Sequence, residues 1–471
     1  MKTLSKRTKI VATIGPSSES PEMMERLMSL GVNVFRFNMK HGDVEWHNKF
    51  IRQAREVANK INHDLGVLID LQGPEIRIKT FNQKVLNIKK NDQIKFTSNI
   101  DLLNDNENII YTSSKNIVSS LEKGDRIVID DGALFLDVSD KSEEFVTLVS
   151  QSESPLKNNK SMNLIGKDVD LPSLTEEDKV RLTVAQNQKV DFIALSFVRE
   201  KKDLDFLKEE MKSKNIEAKI VSKIESQKGI NNIDEIIDNS YAIMVARGDL
   251  GIETPIEGVT YIQKILVKKC RMKSKPVIVA TQMLESMINS KFPTRAEAAD
   301  VSNAVFDYTD AVMLSGETAY GANPAEVVEV MARICSFNET VRSEAPLIHV
   351  TRDNTSYIAE AGFNISKDHN INKIIALTET GYTVRVLSAL RPRADIIAVS
   401  DVLDTVNLLS LSGGVKPFKT KYAISDLSSY EKIIDELKQA NLVESGETVV
   451  AIHGQKFGMA GGTNSLIILT I

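Results

Sequence analysis

Short, wholly apolar runs recur along this chain, and each ends abruptly in charge, hydroxyl or glycine. The clearest is Ala242–Ala246, which runs into Arg247, Gly248 and Asp249 within the stretch Tyr241–Glu253. A run of four or five apolar residues without alternation predicts a strand buried on both faces, its carboxyl end opening into solvent or a site. The same grammar recurs at Lys9–Ile14, Asn33–Phe37, Gly66–Ile69, Asp191–Leu195, Ala218–Ser222, Pro276–Ala280 and Ala311–Leu314. Amphipathic stretches separate most of these runs. Ser20-Pro21-Glu22 starts one helix, and another is expected from about Val44 to Lys60. Eight parallel-type strands with reactive-looking residues at their carboxyl ends predict a (β/α)8 TIM barrel in the α/β class. A doubly wound open sheet would instead gather its ligands around one switch point.

Between Ile76 and about Asp170 the pattern changes to short alternating runs such as KVLNIK, DQIKFTS and EFVTLVS, separated by polar turns. This predicts a small all-β module, with Ser114–Leu121 as its one helical candidate. It is inserted, because continuous apolar runs and amphipathic helices resume after it. From about Thr355 a third segment alternates helices with strands at Lys373–Leu377, Asp395–Val399, Val415–Phe418 and Thr448–Ile452, and a run at Ser465–Ile471 closes it. The expected division is a barrel from residues 1–73 and 171–345, an inserted β-barrel lid at 74–170, and a C-terminal α/β regulatory or oligomerisation domain at 346–471.

A length of 471 residues is too great for one core and agrees with several domains. No apolar stretch suits a membrane span or a signal peptide, so the cytoplasm is expected. A net charge of −5 without a basic stripe argues against nucleic acid as a partner. Two cysteines, Cys270 and Cys335, make no disulfide framework, and six histidines form no zinc-binding spacing.

The candidate chemistry lies at the strand ends. Glu225 and Asp249 follow consecutive strands and are expected to face one another across the barrel mouth. Two carboxylates without histidine or cysteine suit a hard divalent ion, magnesium or manganese, completed by waters and a substrate oxyanion. Lys223 lies two residues before Glu225 and is expected to point toward the same mouth. It suits stabilisation of an oxyanion or a Schiff base, or it simply neutralises its neighbours. Arg36 ends a strand and suits a phosphate or carboxylate, or an ion pair with Asp70. Gly248 and Gly251 let the backbone approach an anion, and Thr281 and Ser315 offer hydroxyls. No Walker loop is present.

Together, TKIVATIGPSS at Thr8–Ser18, NVFRFN with His41-Gly42, DLQGPEIR at Asp70–Arg77, SKIE at Ser222–Glu225, MVARGDLGIE at Met244–Glu253, ATQMLESMI at Ala280–Ile288, PTRAEAADVSNAV at Pro293–Val305 and MLSGETA at Met313–Ala319 resemble the pyruvate kinase family. The likeness runs in order from about residue 8 to 340 and continues more loosely to the end. It implies phosphoryl transfer from phosphoenolpyruvate to ADP, giving pyruvate and ATP in the last step of glycolysis. It implies that Glu225 and Asp249 hold the divalent ion, that Lys223 stabilises the enolate, and that Arg36 holds phosphate. Gly248 and Thr281 are implied to seat the substrate carboxylate. Arg77, His41 and Lys160 are implied to contact nucleotide phosphates, Lys160 from the lid. A homotetramer is the family's usual assembly.

One departure from the family pattern stands out. Potassium-dependent members use the positions of Asn38, Lys40, Asp70 and Leu71 to hold the ion, with serine at Lys40 and threonine-lysine at Leu71-Gln72. Potassium-independent members carry leucine-glutamine there, but with lysine at Glu75. This chain is a hybrid. The expectation is that the Lys40 ammonium replaces the ion, neutralised by Asp70 or Glu75, so that potassium is not required. In the C-terminal segment Thr378, Thr380 and Thr383 occupy the place of an effector phosphate loop, with Glu379 opposing a second phosphate. That loop is expected to take a monophosphate or nothing, and an ordinary capped turn is the alternative. Another barrel enzyme acting on a pyruvate enolate, or a non-catalytic relative, are the rival readings.

Overall fold

The computed structural model describes residues 6–105, 107–130, 132–167, 171–346, 348, 353–454 and 462–471. Eight strands close into a barrel: β1 Lys9–Thr13, β2 Val34–Asn38, β3 Gly66–Asp70, β4 Phe192–Leu195, β5 Lys219–Ile224, β6 Ala242–Ala246, β7 Val277–Ala280 and β8 Ala311–Leu314. Each strand pairs in parallel with its sequence neighbours, and β8 returns to β1 through Lys9 opposite Ala311. The apolar runs form strands because both faces are covered. Val11, Val34, Leu68, Ala194, Val221 and Met244 fill the interior, while their neighbours Ile10, Phe35, Ile69, Ile193, Ile220 and Ile243 pack outward against the helices. The helix Val44–Lys60 shows the complement. Asp43 caps it by accepting from Trp46 N, and His47, Phe50, Ile51, Ala54, Val57 and Ala58 form its buried stripe. A cap of this kind contributes about 1 kcal/mol.

One detail differs from expectation. Strand β5 runs past Ser222 to Ile224, which carries Lys223 into the sheet. The sequence Arg247–Glu253 forms a helix that starts directly at the end of β6. Asp249 lies in its first turn, where a carboxylate is favoured by the helix dipole.

The inserted segment holds a seven-stranded sheet and a two-stranded one around its own core of Ile94, Phe96, Ile127, Leu136 and Leu148. Its pairings are antiparallel except for Gln93–Thr97 with Ile109–Tyr111. A short helix, Lys115–Ser120, occupies the stretch that the sequence marks as helical. The C-terminal part carries a five-stranded sheet of β9 Lys373–Leu377, β10 Asp395–Ser400, β11 Val415–Lys419, β12 Thr448–Gly454 and β13 Thr463–Thr470. Only the β12–β13 pair is antiparallel. Among the described residues no helix is long and apolar enough to cross a membrane.

The C-terminal part closes the amino end of the barrel. Leu411 joins the barrel's interior core, and Ser410 approaches Gly66 so closely that a Cβ there would lie 2.3 Å from its hydroxyl. The Asp310 carboxylate accepts from Gly413 N at 2.8 Å and pairs with Arg391 at 2.7 Å. The opposite end, where the strands' carboxyl ends lie, is left to the insertion. Asp191 belongs to this closed end. It accepts from Val67 N at 2.8 Å and from Arg55 at 3.3 Å, and it bonds Asn407. Burial still dominates, and it pushes the Asp191 carboxyl from 3.8 up to about 6. The native state therefore holds a proton that the unfolded chain releases, so stability falls as pH rises through this window. Denaturant midpoints measured from pH 3.5 to 7 should show Asp191 removing on the order of 2 kcal/mol between about pH 4 and 6. In Asp191→Asn that component should vanish; parallel curves for the two proteins would contradict it.

Candidate active site

Alternation along the strands builds the site. Residues that share parity with the interior core continue upward into the mouth: Thr13 above Val11, Arg36 and Asn38 above Val34, and Asp70 above Leu68. Ser196 likewise follows Ala194, Lys223 and Glu225 follow Val221, and Ala246 and Gly248 follow Met244. A cavity of about 630 Å³ lies over these residues and extends beneath Ser161–Leu164, Lys167 and Leu171 of the insertion side. Arg36, Asn38, Lys40, Asp70, Leu71, Lys223, Glu225, Gly248, Asp249 and Thr281 all line it. A site of this size lies within the ordinary range for small-molecule ligands.

Asp70 is the hub of the charge network. Its carboxylate is 1 % exposed and lies 2.7 Å from Arg36 Nε and 3.3 Å from Lys223 Nζ. Burial alone would raise the Asp70 pKa, but Lys223 and Arg36 outweigh it and hold the group below the ordinary carboxylate value. Arg36 also donates to Thr13 Oγ1 at 2.9 Å. Lys223 Nζ donates to Ser196 Oγ at 2.7 Å and lies 3.0 Å from Glu225 Oε1. Burial disfavours the Lys223 ammonium, but Asp70 and then Glu225 outweigh it, so the lysine stays charged. Glu225 shows the reverse balance. Burial, with the Asp249 charge adding to it, raises its pKa despite Lys223 and a 2.6 Å bond from Phe197 N. Two carboxylates are thus close enough to repel one another. No group of three or more His, Cys, Asp or Glu able to hold a metal occurs among the described residues.

Thr281 is held in an unusual backbone conformation, φ +67°, followed by Gln282 at +53°. A β-branched residue there is strained by about 1–3 kcal/mol. Its hydroxyl accepts from Gly248 N at 2.8 Å and donates to Ala280 O at 2.7 Å. Arg247 fixes the same peptide from behind, donating to Thr281 O at 2.7 Å and pairing with Asp300 at 2.7 Å.

The loops after β2 and β3 carry the second charge cluster. Lys40 Nζ lies 3.1 Å from Glu75 Oε1, and Asp70 is not its partner because Arg36 and Lys223 already occupy that carboxylate. Gln72 and Arg77 reach the other Glu75 oxygen at 3.2 and 2.8 Å. Burial raises the Glu75 pKa, but Lys40 and Arg77 outweigh it, and the net shift is downward. Gly73 has φ +71°, and a Cβ there would lie 2.7 Å from Ser196 Cβ. The buried Asp178 carboxylate caps the helix Glu176–Gln188 and accepts from Gln72 N at 3.0 Å, tying together the two chain crossings between barrel and insertion.

The residues read as nucleotide contacts stand outside the cavity lining. Arg77 donates to Asn159 O at 2.7 Å, and Lys160 pairs with Asp130 at 2.7 Å. Partial burial, then Lys40, Arg36 and Arg77, lower the His41 pKa. The Thr378–Thr383 turn also lies elsewhere. Thr378 Oγ1 accepts from Gly381 N at 2.9 Å, Thr383 bonds Thr463 at 2.6 Å, and Thr380 O accepts from Arg385 at 3.2 Å.

Sequence reasoning passes over Thr13, Ser196, Arg247 and Asp178. The first two are accessible to it, since strand parity places them in the mouth. The partners of Arg247 and Asp178 lie 53 and 106 residues away, at Asp300 and Gln72, and only the fold brings them together.

The profile of the family described as "Pyruvate kinase, barrel domain" matches residues 5–328, and that of "Pyruvate kinase, alpha/beta domain" matches residues 356–469. A pyruvate kinase of Bacillus licheniformis is 39 % identical over 482 aligned positions, covering 99 % of this chain and 80 % of the relative. One from Eimeria tenella is 36 % identical, covering 99 % and 89 %. A crystal structure of a pyruvate kinase from Cryptosporidium parvum superposes with a TM-score of 0.92 at 34 % identity, covering 99 % of this chain and 96 % of that one. A barrel whose mouth gathers arginine, lysine and the carboxylates of Asp70, Glu225 and Asp249, joined to matches over nearly its whole length, makes this chain a phosphotransferase of the pyruvate kinase family.

Proposed function

We propose that this chain transfers the phosphoryl group of phosphoenolpyruvate to ADP, with a divalent magnesium or manganese ion at Glu225 and Asp249. The observation that carries this is the Lys223 ammonium, held by Asp70, Glu225 and Ser196 beside the carboxylate pair. The pair fits such an ion. Its donors are all oxygen, and burial, with the Asp249 charge adding to it, raises the Glu225 pKa, a penalty on the charged pair that a bound cation would relieve. When bound, the ion supplies Lewis-acid stabilisation of substrate oxygens.

The chain's own residues account for the rest. Arg36 binds the phosphate in a fork that Asp70 holds in place. An ADP β-phosphate oxygen attacks the phosphorus in line, and the bond to the enol oxygen breaks. Lys223 stabilises the enolate oxygen that results. The enolate then takes a proton on its methylene carbon to become pyruvate, and Thr281 is placed beside that carbon. Gly248 and Thr281 seat the substrate carboxylate. Residues 74–170 act as a lid over the barrel formed by 1–73 and 171–345, and Arg77, His41 and Lys160 meet the nucleotide phosphates as it closes. Asn163 of the lid already bonds Glu253 on the mouth helix, which supports contact at closure. Residues 346–471 form the third domain. Exposed Phe306, Phe337 and Val341 on barrel helices support self-association, in line with a homotetramer.

Lys40 takes the place of a monovalent cation. Its ammonium is tethered 3.1 Å from Glu75, a carboxylate it shares with Arg77 at 2.8 Å, and it adds a positive charge at the edge of the site. Pyruvate formation should be assayed with magnesium in tetramethylammonium buffer, with and without potassium. The expected result is ADP-dependent turnover that changes less than twofold on adding potassium. Lys40→Ser should lose at least tenfold without potassium. No turnover with ADP would overturn the reaction; unaltered rate and ion dependence in Lys40→Ser would overturn the replacement alone.

A further inference from the structure

A second cavity, of about 420 Å³, lies between the end of the barrel helix Pro324–Val341 and the C-terminal domain. Of its seven charged lining residues five are cationic: Arg7, Arg342, Lys367, Arg391 and Arg393, against Glu339 and Glu344. The carboxylates are already engaged. Glu339 accepts from the backbone N–H of Arg7 and Thr8 at 2.7 and 2.6 Å, and Glu344 pairs with Lys367 at 2.8 Å. Arg391 is matched by Asp310 behind the cavity, and Arg7 pairs with Asp395 at 3.6 Å and donates to the carbonyls of Arg393 and Ala394.

Two guanidinium groups are left over. Arg342 donates only to Val305 O, at 3.0 Å, and lies over the Tyr308 ring at 4.6 Å, with no carboxylate in ion-pair contact among the described residues. Arg393 is exposed at the mouth, and its side chain makes no hydrogen bond or ion pair among the described residues. Burial, then the Arg391 charge, push the Arg342 pKa down to about 10, with the Glu339 charge opposing them in part. Phe363 and Ile371 supply an apolar wall. Clustered guanidinium forks suit paired oxyanions, and an apolar wall suits a short carbon skeleton.

We propose that this cleft binds a small organic dianion, a phosphomonoester or a dicarboxylate, seated on Arg342 and Arg393 with Arg7 and Arg391 behind them. Such a ligand ties the barrel helix that ends before Arg342 to the start of β10, and so stiffens the junction between the two domains. The inference does not depend on the reaction assigned to the barrel mouth.

Calorimetric titration of the full chain, without magnesium or substrate, tests it with glycerol 3-phosphate, succinate and inorganic phosphate. These anions can also meet the barrel mouth, so the comparison with Arg342→Gln and Arg393→Gln decides. The expected result is a binding event for glycerol 3-phosphate or succinate that weakens at least tenfold in both variants, and that inorganic phosphate matches only weakly. Which organic probe binds tells the two ligand sources apart. Arg393→Gln should melt as the wild type does, so its titration stands even if Arg342→Gln folds poorly. Titrations of Arg393→Gln indistinguishable from wild type, or no event in the wild type with either organic probe, would overturn the proposal.

Discussion

The barrel mouth depends on one buried carboxylate shared by two cations. Asp70 is almost wholly removed from water, and such a charge is tolerated only when it is paired. Arg36 and Lys223 supply that pairing from β2 and β5, on either side of β3 and β4. The constraint is reciprocal. Removing one partner of a buried pair leaves the other uncompensated, typically at several kcal/mol. The two cations are therefore held in place by the protein itself, as electrostatic preorganisation requires.

The same economy of position runs through the rest of the molecule. The period of two that packs Val34, Leu68 and Val221 in the barrel interior also aims Arg36, Asp70 and Lys223 into the mouth. The C-terminal part plugs the opposite end with Leu411, which leaves the carboxyl end free for the inserted β segment. The crossings to that segment are anchored to the barrel at Gly73 and Asp178. The closed end carries the charges that the mouth does not use, and there the excess of arginine gathers.

Most of the architecture is legible in the sequence because it rests on local pattern. Continuous apolar runs mark all eight barrel strands, and the helix expected from about Val44 to Lys60 is found with those bounds. What escapes is local in appearance but tertiary in cause. Ser222-Lys223-Ile224 looks like the end of a strand, yet β5 and β6 stay paired through Ile224 opposite Val245. Arg247–Glu253 contains two glycines and a charged start, poor helix material, and folds as helix because it must turn at once from β6 across the mouth. Lys40 is readable as a charge in the loop, but its choice of Glu75 over Asp70 follows from the prior claims of Arg36 and Lys223.

Asp70 organises the two cations of the barrel mouth, Arg36 and Lys223, to which the proposed reaction assigns the phosphate and the enolate. Asp70→Asn keeps the volume and removes the charge, so kcat for pyruvate formation and its pH profile test it directly. In Asp70→Asn kcat should fall at least about a hundredfold, roughly 2.7 kcal/mol of lost transition-state stabilisation. The basic limb of the profile should move downward as Lys223 loses the carboxylate that most favours its charged form. An Asp70→Asn enzyme with wild-type kcat and an unmoved basic limb would contradict it.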